Sequence, residues 1–352
     1  MSELRTILAD TVTRLFSDIS ESGSSNWEQL EALGLPSLML DEDSGGFNGQ
    51  WQDAVLVARQ LGYFAIPQPL IETILARFAL QQAGHSEFEG PLSIAHCDTA
   101  KLQLQNSQHL LTARLRHIPW GESTPIVISG QYQQRGFVAL LPAEASSQQI
   151  GSTNLAAEPQ AELLLENTAM QAFYWLDQPI NLYHLAALMR SAQIAGALDQ
   201  LVNMSVQYSS EREQFGRPLS KFQVIQHNIS QLAEQAAAVL CASESAARAL
   251  DCEGSSDGAL FEIAASKLRA NMAIPQATSI AHQLHGAIGF TEEHRLHLFT
   301  RRLLAWRSEY GSDRFWANIL GQWCLDARTD GFWSSLTARS DRQMKTPESQ
   351  PS

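Results

Sequence analysis

Cysteine is scarce. Cys97, Cys241, Cys252 and Cys324 are the only four in 352 residues, and none forms a Cys-x-x-Cys pair. That argues against structural zinc and for a reducing compartment. No apolar run approaches the roughly 20 residues needed to cross a bilayer. Positive charge is also short: 24 Lys and Arg against 37 Asp and Glu leave a net charge of -13. Such a balance repels nucleic acid and anionic membrane, so neither is expected as a partner. Residues 1–19 mix Glu3, Arg5, Asp10 and Asp18 with apolar side chains and do not read as a secretory signal; a cytoplasmic protein is the expectation. The one Gly-x-Ser-x-Gly match, Gly254-Ser-Ser-Asp-Gly258, falls in a turn-rich loop between predicted helices and not at a strand-to-helix elbow, so a serine hydrolase is not expected; there is no internal repeat. The pairs His282/His285 and His294/His297 lack a third ligand, so no metal site is expected, and these rings are assigned to the surface or to turns.

What is present is apolar. The chain is 44% hydrophobic and only 17% charged, enough for a large core and for surface that other subunits cover. Its length allows two or three packed units at roughly 100–200 residues each.

Residues 1–88 read as helical. Leu4, Ile7, Leu8, Val12, Leu15, Phe16 and Ile19 recur at helical spacing. Trp27, Leu30 and Leu33 continue the pattern to Gly34, and a helix over Gln52–Leu61 is expected to stop at Gly62. Between 89 and 178, short apolar runs at Leu110–Leu111, Ile126–Ile128, Phe137–Leu141 and Leu163–Leu165 are punctuated by glycine and proline, predicting a small domain of antiparallel strands. From 179 to 330 the helical period returns. Helices are predicted over Tyr183–Ser210, from about Lys221, over Ala259–His285, Glu293–Glu309 and Arg314–Ala327, with a turn-rich loop at Asp251–Gly258. The fourth of these carries Leu296, Leu298, Phe299, Leu303, Leu304 and Trp306, some of which a second subunit should cover. The tail, 331–352, is polar at its end and expected to be disordered there.

Two segments carry chemistry. From Tyr208 to Gln223 the chain reads Y-S-S-E-R-E-Q-F-G-R-P-L-S-K-F-Q. A helix ends in charge, a Phe-Gly-x-Pro turn follows, and a new helix begins. Arg212 is placed to bind a pyrophosphate and Phe215 to lie against an aromatic cofactor. From Gln283 to Glu292 it reads Q-L-H-G-A-I-G-F-T-E, where Gly286 and Gly289 allow conformations and close approaches that a Cβ would block. Exposed backbone N–H groups there suit phosphate.

The first segment resembles the Y-x-x-x-R-x-Q-F-G-x-P-x-x-x-F-Q stretch of the flavin-dependent acyl-CoA dehydrogenases. The second resembles that family's Q-x-x-G-G-x-G-[FY]-[TS] turn, with Ala287 in place of a glycine. Gly34-Leu35, Asp41 to Phe47, Leu61-Gly62 and Pro67-Gln68-Pro69 resemble the family more weakly. The resemblance implies an α+β fold: an N-terminal helical domain, a small middle β domain and a C-terminal four-helix bundle. It implies FAD as cofactor, an acyl-CoA as substrate and electron-transfer flavoprotein as acceptor. It also implies a homo-oligomer, or a heteromer with a second acyl-CoA dehydrogenase subunit. Across the interface, Arg212, Gln214, Phe215, Leu219, Gln223, Gln283, Gly286 and Ala287 would reach a neighbour's FAD.

Three departures matter. The family's T-E-P-x-A-G-S-D stretch, which cradles a subunit's own flavin, has no counterpart between 89 and 130. His117-Ile-Pro-Trp120 stands near the place of a flavin-covering segment, with Trp120 expected in the core. The family's catalytic Glu maps without a gap onto Tyr310, in Glu309-Tyr310-Gly311-Ser312; the alternative position, around His184 to Ala187, has no carboxylate. A phenol with an ordinary pKa of ~10 is a poor base for a thioester α-proton. Glu309 and Asp313 are nearby but are expected to point to solvent from a helix. The readings left open are an active flavoenzyme with a displaced base, Glu309 or Asp313; a subunit that only completes a partner's flavin site; and a helical binding module without flavin. Heteromeric members of the family often take ring-bearing acyl groups, so lipid or steroid catabolism is the expected setting.

Overall fold

The computed structural model describes residues 3–22, 27–85, 88–98, 101–105, 108–142, 149–326 and 331–340. The elements run helices, strands, helices. The first group is α1 (Glu3–Ser22), α2 (Trp27–Ala32), α3 (Trp51–Tyr63) and α4 (Leu70–Gln82). Eight strands follow: β1 (Ser93–Cys97), β2 (Lys101–Gln105), β3 (Gln108–Pro119), β4 (Ile126–Tyr132), β5 (Arg135–Leu141), β6 (Gln149–Thr153), β7 (Pro159–Ala169) and β8 (Ala172–Leu176). Helix α5 (Leu182–Glu211), a hairpin of β9 (Glu213–Gln214) and β10 (Arg217–Pro218), and helices α6 (Gln223–Glu253), α7 (Leu260–His285), α8 (Leu296–Trp306), α9 (Asp313–Asp326) and α10 (Phe332–Ser340) complete the chain. This is the expected α+β order of N-terminal helices, central sheets and C-terminal bundle. The tail expected to be disordered lies, beyond Ser340, outside the described residues. Among the described residues no helix is long and apolar enough to cross a membrane.

By contacts the chain forms two compact units. One gathers residues up to Thr13, Trp51–Ala65 and the chain from Ala187 onward; the other holds Arg14–Gln50 and Ile66–Ala186.

The second unit is built on two four-stranded sheets, ordered β1-β4-β5-β8 and β2-β3-β7-β6. Leu111 and Leu115 of β3, Ile126 and Ile128 of β4, Phe137 and Leu141 of β5, and Leu163 and Leu165 of β7 share one buried cluster. The alternate residues Val127, Val138 and Leu140 are buried as well, which is why these strands read as unbroken apolar runs rather than alternating ones. Helix α4 packs on β1 and β4. The expectation of purely antiparallel strands fails at one pair: β1 runs parallel to β4. Trp120 is half-buried at the end of β3 and not in the core, because it adopts φ 62° in the turn that leaves the strand.

The first unit contains the bundle. Gly62 does not stop α3, which runs on to Tyr63. A Cβ at Gly62 would overlap the Gln193 carbonyl, and one at Gly196 would overlap the Arg59 carbonyl. The two glycines therefore let α3 and α5 pack backbone against backbone. Asp251, expected in a loop, lies within α6 and caps α3 across the bundle. Its carboxylate accepts hydrogen bonds from the backbone N–H groups of Trp51 and Gln52 at 2.8 and 3.3 Å. Helix α8 begins at Leu296 rather than Glu293, because Gly286–Phe290 forms a 3-10 turn and Thr291 is extended. Leu296, Phe299, Leu303 and Trp306 are buried within the chain itself, leaving Leu304 as the exposed apolar residue of that helix.

Gly196→Ala should destabilise the first unit without changing its fold. Overpacking typically costs about 1–3 kcal/mol, and rigid backbone on both sides favours the upper end. Each kcal/mol lowers Tm by roughly 2–4 °C in a domain of 150–250 residues. A thermal melt within a degree of the parent would contradict the glycine-dependent crossing.

Candidate functional site

Helix α5 ends at Glu211 and the chain reverses through the β9–β10 hairpin. Phe215 and Gly216 form its tip, both at positive φ, 55° and 76°. Glycine adopts that conformation freely, whereas for phenylalanine it is strained. Even so, the Phe215 ring is 92% exposed. A large apolar side chain held in a costly conformation in water is the arrangement of a contact residue rather than of a stability residue. The hairpin is braced from below: the Arg217 guanidinium lies 4.2 Å over the Phe222 ring, and the Leu219 N–H donates to the Arg212 carbonyl at 2.9 Å. Arg212, Gln214 and Gln223 are exposed and Leu219 is half-buried. Among the described residues the Arg212 side chain makes no ion pair.

Helix α7 ends at Gly286, with φ 61° and ψ −141°, a combination glycine alone adopts readily. A Cβ there would meet nothing within 4 Å, so the glycine serves conformation and not space. Gln283 and Ala287 are exposed beside it.

Stacked rings join the two segments. Tyr208, in the last turns of α5, stacks on His285 at 4.7 Å, and His285 lies 4.8 Å from His294. Both turns therefore lie at one end of the bundle. His285 is not the surface or turn residue expected: it is buried, and its Nδ1–H donates to the Ala281 carbonyl at 2.8 Å. Burial holds the His282, His285 and His294 rings below the usual imidazole range, so they stay neutral at pH 7. Alongside, an open cleft of about 440 Å³ is lined by Thr278, Ser279, His282, Gln283, Phe290 and Leu304. His282 stacks on Phe290 at 4.4 Å. The cleft offers aromatic and neutral polar surface, while the hairpin offers the unpaired cation.

The Tyr310 segment is not helical. Helix α8 ends at Trp306, and the chain turns through 307–312 with Tyr310 at φ 53° and Gly311 at φ 114°. Glu309, expected to face solvent, is 5% exposed and pairs with the equally buried Arg190 of α5 at 3.0 Å. The helix assumption gave the wrong direction, because a turn at this point aims residue 309 inward. Arg190 also hydrogen-bonds Gln193, and its guanidinium sits 5.2 and 5.5 Å from the Trp306 and Tyr310 rings. Asp313 starts α9, half-buried, and accepts a hydrogen bond from Arg307 at 2.6 Å. The turn thus holds one interior carboxylate neutralised by an arginine and one near-surface carboxylate paired with another.

The second unit contains a Ser129–His96–Asp98 array. His96 Nδ1 is 2.7 Å from Ser129 Oγ, and His96 Nε2 is 3.0 Å from Asp98 Oδ1. It is no hydrolytic triad. Ser129 is fully buried and its oxygen accepts from the Leu182 N–H, so the hydroxyl is a tie between β4 and the start of α5. Among the described residues no group of three His, Cys, Asp or Glu could hold a metal.

Residues 180–325 match the family model for the acyl-CoA dehydrogenase C-terminal domain. The chain is 27% identical over 321 residues to acyl-CoA dehydrogenase IpdE2 of Mycolicibacterium smegmatis, covering 86% of this chain and 93% of that protein. It is 26% identical over 284 residues to acyl-CoA dehydrogenase IpdE2 of Mycobacterium tuberculosis, covering 79% and 80%. The chain therefore has the acyl-CoA dehydrogenase fold, with residues 180–325 forming its C-terminal domain. Solved structures of that fold superpose along nearly the whole chain. A Tcur3481-Tcur3483 steroid ACAD variant does so with TM-score 0.82, 19% identity and coverage of 93% and 99%. The ChsE4-ChsE5 complex from M. tuberculosis does so with TM-score 0.81, 18% identity and coverage of 92% and 97%. Within this acyl-CoA dehydrogenase fold, Tyr208 and His285 tie the two motif turns together, Arg190 pairs with Glu309 of the Tyr310 turn, and the buried Lys267 of α7 donates to the Trp306 and Arg307 carbonyls that lead into it. Sequence reading missed Arg190 and Lys267. Their only trace is a lone cation in each of the apolar stretches Leu185–Ile194 and Ile263–Leu268.

Removing one partner of the Arg190–Glu309 pair leaves a buried charge uncompensated. Glu309→Leu should therefore cost about 3–5 kcal/mol in chemical denaturation, and adding Arg190→Met should recover much of it. A single variant as stable as the parent would place Glu309 in water.

Proposed function

We propose that this chain is the supporting subunit of an FAD-dependent acyl-CoA dehydrogenase, lending residues to a flavin site shared with a second subunit and supplying no catalytic base. One observation carries the reading. The carboxylate next to Tyr310 is buried against Arg190, so the turn aligned with the family's base offers a phenol and a neutralised acid. A general base must come within hydrogen-bond reach of the α-proton with a suitable pKa. Neither group meets that demand.

The surface around the hairpin fits FAD. The exposed Arg212 guanidinium suits the pyrophosphate, the Phe215 ring suits a flat heteroaromatic, and the turn at Gly286 leaves room for close approach. Bound FAD would accept the hydride leaving the acyl β-carbon. This chain's own part is to bind and orient it, with Gln214, Leu219, Gln223, Gln283 and Ala287 alongside. The exposed apolar residues Phe215, Val224, Met272, Phe290 and Leu304 suit a subunit interface. The partner is a second acyl-CoA dehydrogenase subunit that carries the base, in a cytoplasmic complex whose electrons pass to electron-transfer flavoprotein. One structural relative is a complex of two different chains and another is a steroid enzyme, which favours a bulky, ring-bearing acyl-CoA as substrate.

Expressed alone, the chain should show no α,β-dehydrogenation with or without added FAD, and the partner should restore it. In that complex Glu309→Gln and Asp313→Asn should keep turnover wherever assembly and flavin content are normal. Loss of turnover in either under those conditions would make this chain the source of the base.

Arg212→Ala should weaken FAD retention ten- to a hundredfold, since one charge-assisted hydrogen bond contributes about 1.5–3 kcal/mol. Undiminished flavin per intact complex, read from the absorbance spectrum, would remove Arg212 from the site.

A further inference from the structure

We infer that Lys267 is the positioning residue of the Tyr310 turn and links its closure to a single proton. The inference rests on the interior of the bundle and stands whether or not the supporting-subunit reading holds.

Lys267 lies on α7 and is fully buried. Its Nζ donates to Asn271 Oδ1 at 2.5 Å and to the carbonyls of Trp306 and Arg307, each at 3.2 Å. Asn271 Nδ2 donates in turn to the Gly311 carbonyl at 3.1 Å. These two side chains, one helical turn apart, thus grip both ends of the turn. Between those ends the Arg190 ion pair takes residue 309, and Trp316 Nε1 donates to the Tyr310 carbonyl at 3.0 Å. Tyr310 and Gly311 both have positive φ, so the turn does not hold itself in shape by local preference. Its form is imposed from α5, α7 and α9.

The charged groups facing Lys267 are Arg190 from α5, Arg307 and Glu309 from the turn, and Asp313 from α9. Asp313 is engaged by Arg307. Glu309 is shared between two buried cations. With Lys267 protonated, the interior therefore carries one more positive than negative charge among Arg190, Lys267 and Glu309. Burial, the largest influence, holds the Lys267 amine down at about 7, against the attraction of Glu309. Once deprotonated, the amine still donates two of its three hydrogen bonds.

The sign follows from linkage. In an opened turn the amine meets water and returns to its ordinary pKa of ~10.4. Between pH 7 and 10 the closed turn holds fewer protons than the opened one, so raising the pH favours closure by up to about tenfold per unit.

Hydrogen exchange of the full chain, followed by mass spectrometry on the 306–313 segment and corrected for intrinsic exchange rates, reads this directly. Between pH 7 and 9 protection should rise several-fold per unit. Lys267→Met should abolish the pH slope. A purely packing role would lower protection equally at every pH and leave the slope in place. Asn271→Asp sets a carboxylate against the amine and should move the onset of the slope upward by a unit or more, which decides the matter should Lys267→Met fail to fold. A flat profile in the parent, a slope that survives Lys267→Met, or an unmoved onset in Asn271→Asp would each overturn the assignment.

Discussion

The ion pair between Arg190 and Glu309 is the constraint on which the rest of this bundle depends. Two charges taken out of water are expensive, and the cost is offset only where geometry is good and other hydrogen-bonding groups surround them. Arg190 meets that condition through Gln193 and the Trp306 and Tyr310 rings. Once the pair is buried, the chain cannot leave α8 as a continuing helix, because Glu309 must face inward. The turn at 307–312 and the positive φ at Tyr310 and Gly311 follow, and so does the need for a donor to the Trp306 and Arg307 carbonyls left without helical partners at the end of α8. Lys267 fills that need.

Charge is handled in opposite ways at the two ends of the same helices. Inside, Arg190 pairs with Glu309 and Lys267 donates to the backbone of the turn. At the end where α5 and α7 stop, Arg212 points outward and Phe215 stands in water in a strained conformation. Strain at the surface is tolerated where something gains from it. In the proposed role at a shared flavin site, the rim would supply contacts and the interior would keep them in place. The Tyr208–His285 stack transmits that rigidity between the two rim segments.

The close crossing of α3 and α5 adds a second, independent constraint. Gly62 and Gly196 bring backbones together where any side chain would intervene, and the Asp251 carboxylate fastens the start of α3 from α6. These contacts make an N-terminal helix part of the bundle unit. Strand contacts likewise draw α4 into the sheet unit, so order along the chain and grouping in space do not coincide.

The sequence by itself determined the order of helices, strands and helices, because burial on one face forces a period of 3.6 or 2 on the residues. It also marked the two motif segments by residue identity and spacing, and the resemblance to the acyl-CoA dehydrogenases aligned Tyr310 with that family's catalytic Glu as an expectation. Only the tertiary structure decided that Glu309 faces inward, that Lys267 is buried, that Gly62 is a contact and not a stop, and that the two motifs share one end of the bundle. The physical reason is the same in each case. The partner that gives each residue its role — Arg190 for Glu309, Trp306 for Lys267, Gln193 for Gly62, Tyr208 for His285 — lies on another helix far away in sequence. Local periodicity carries no record of which helix faces which.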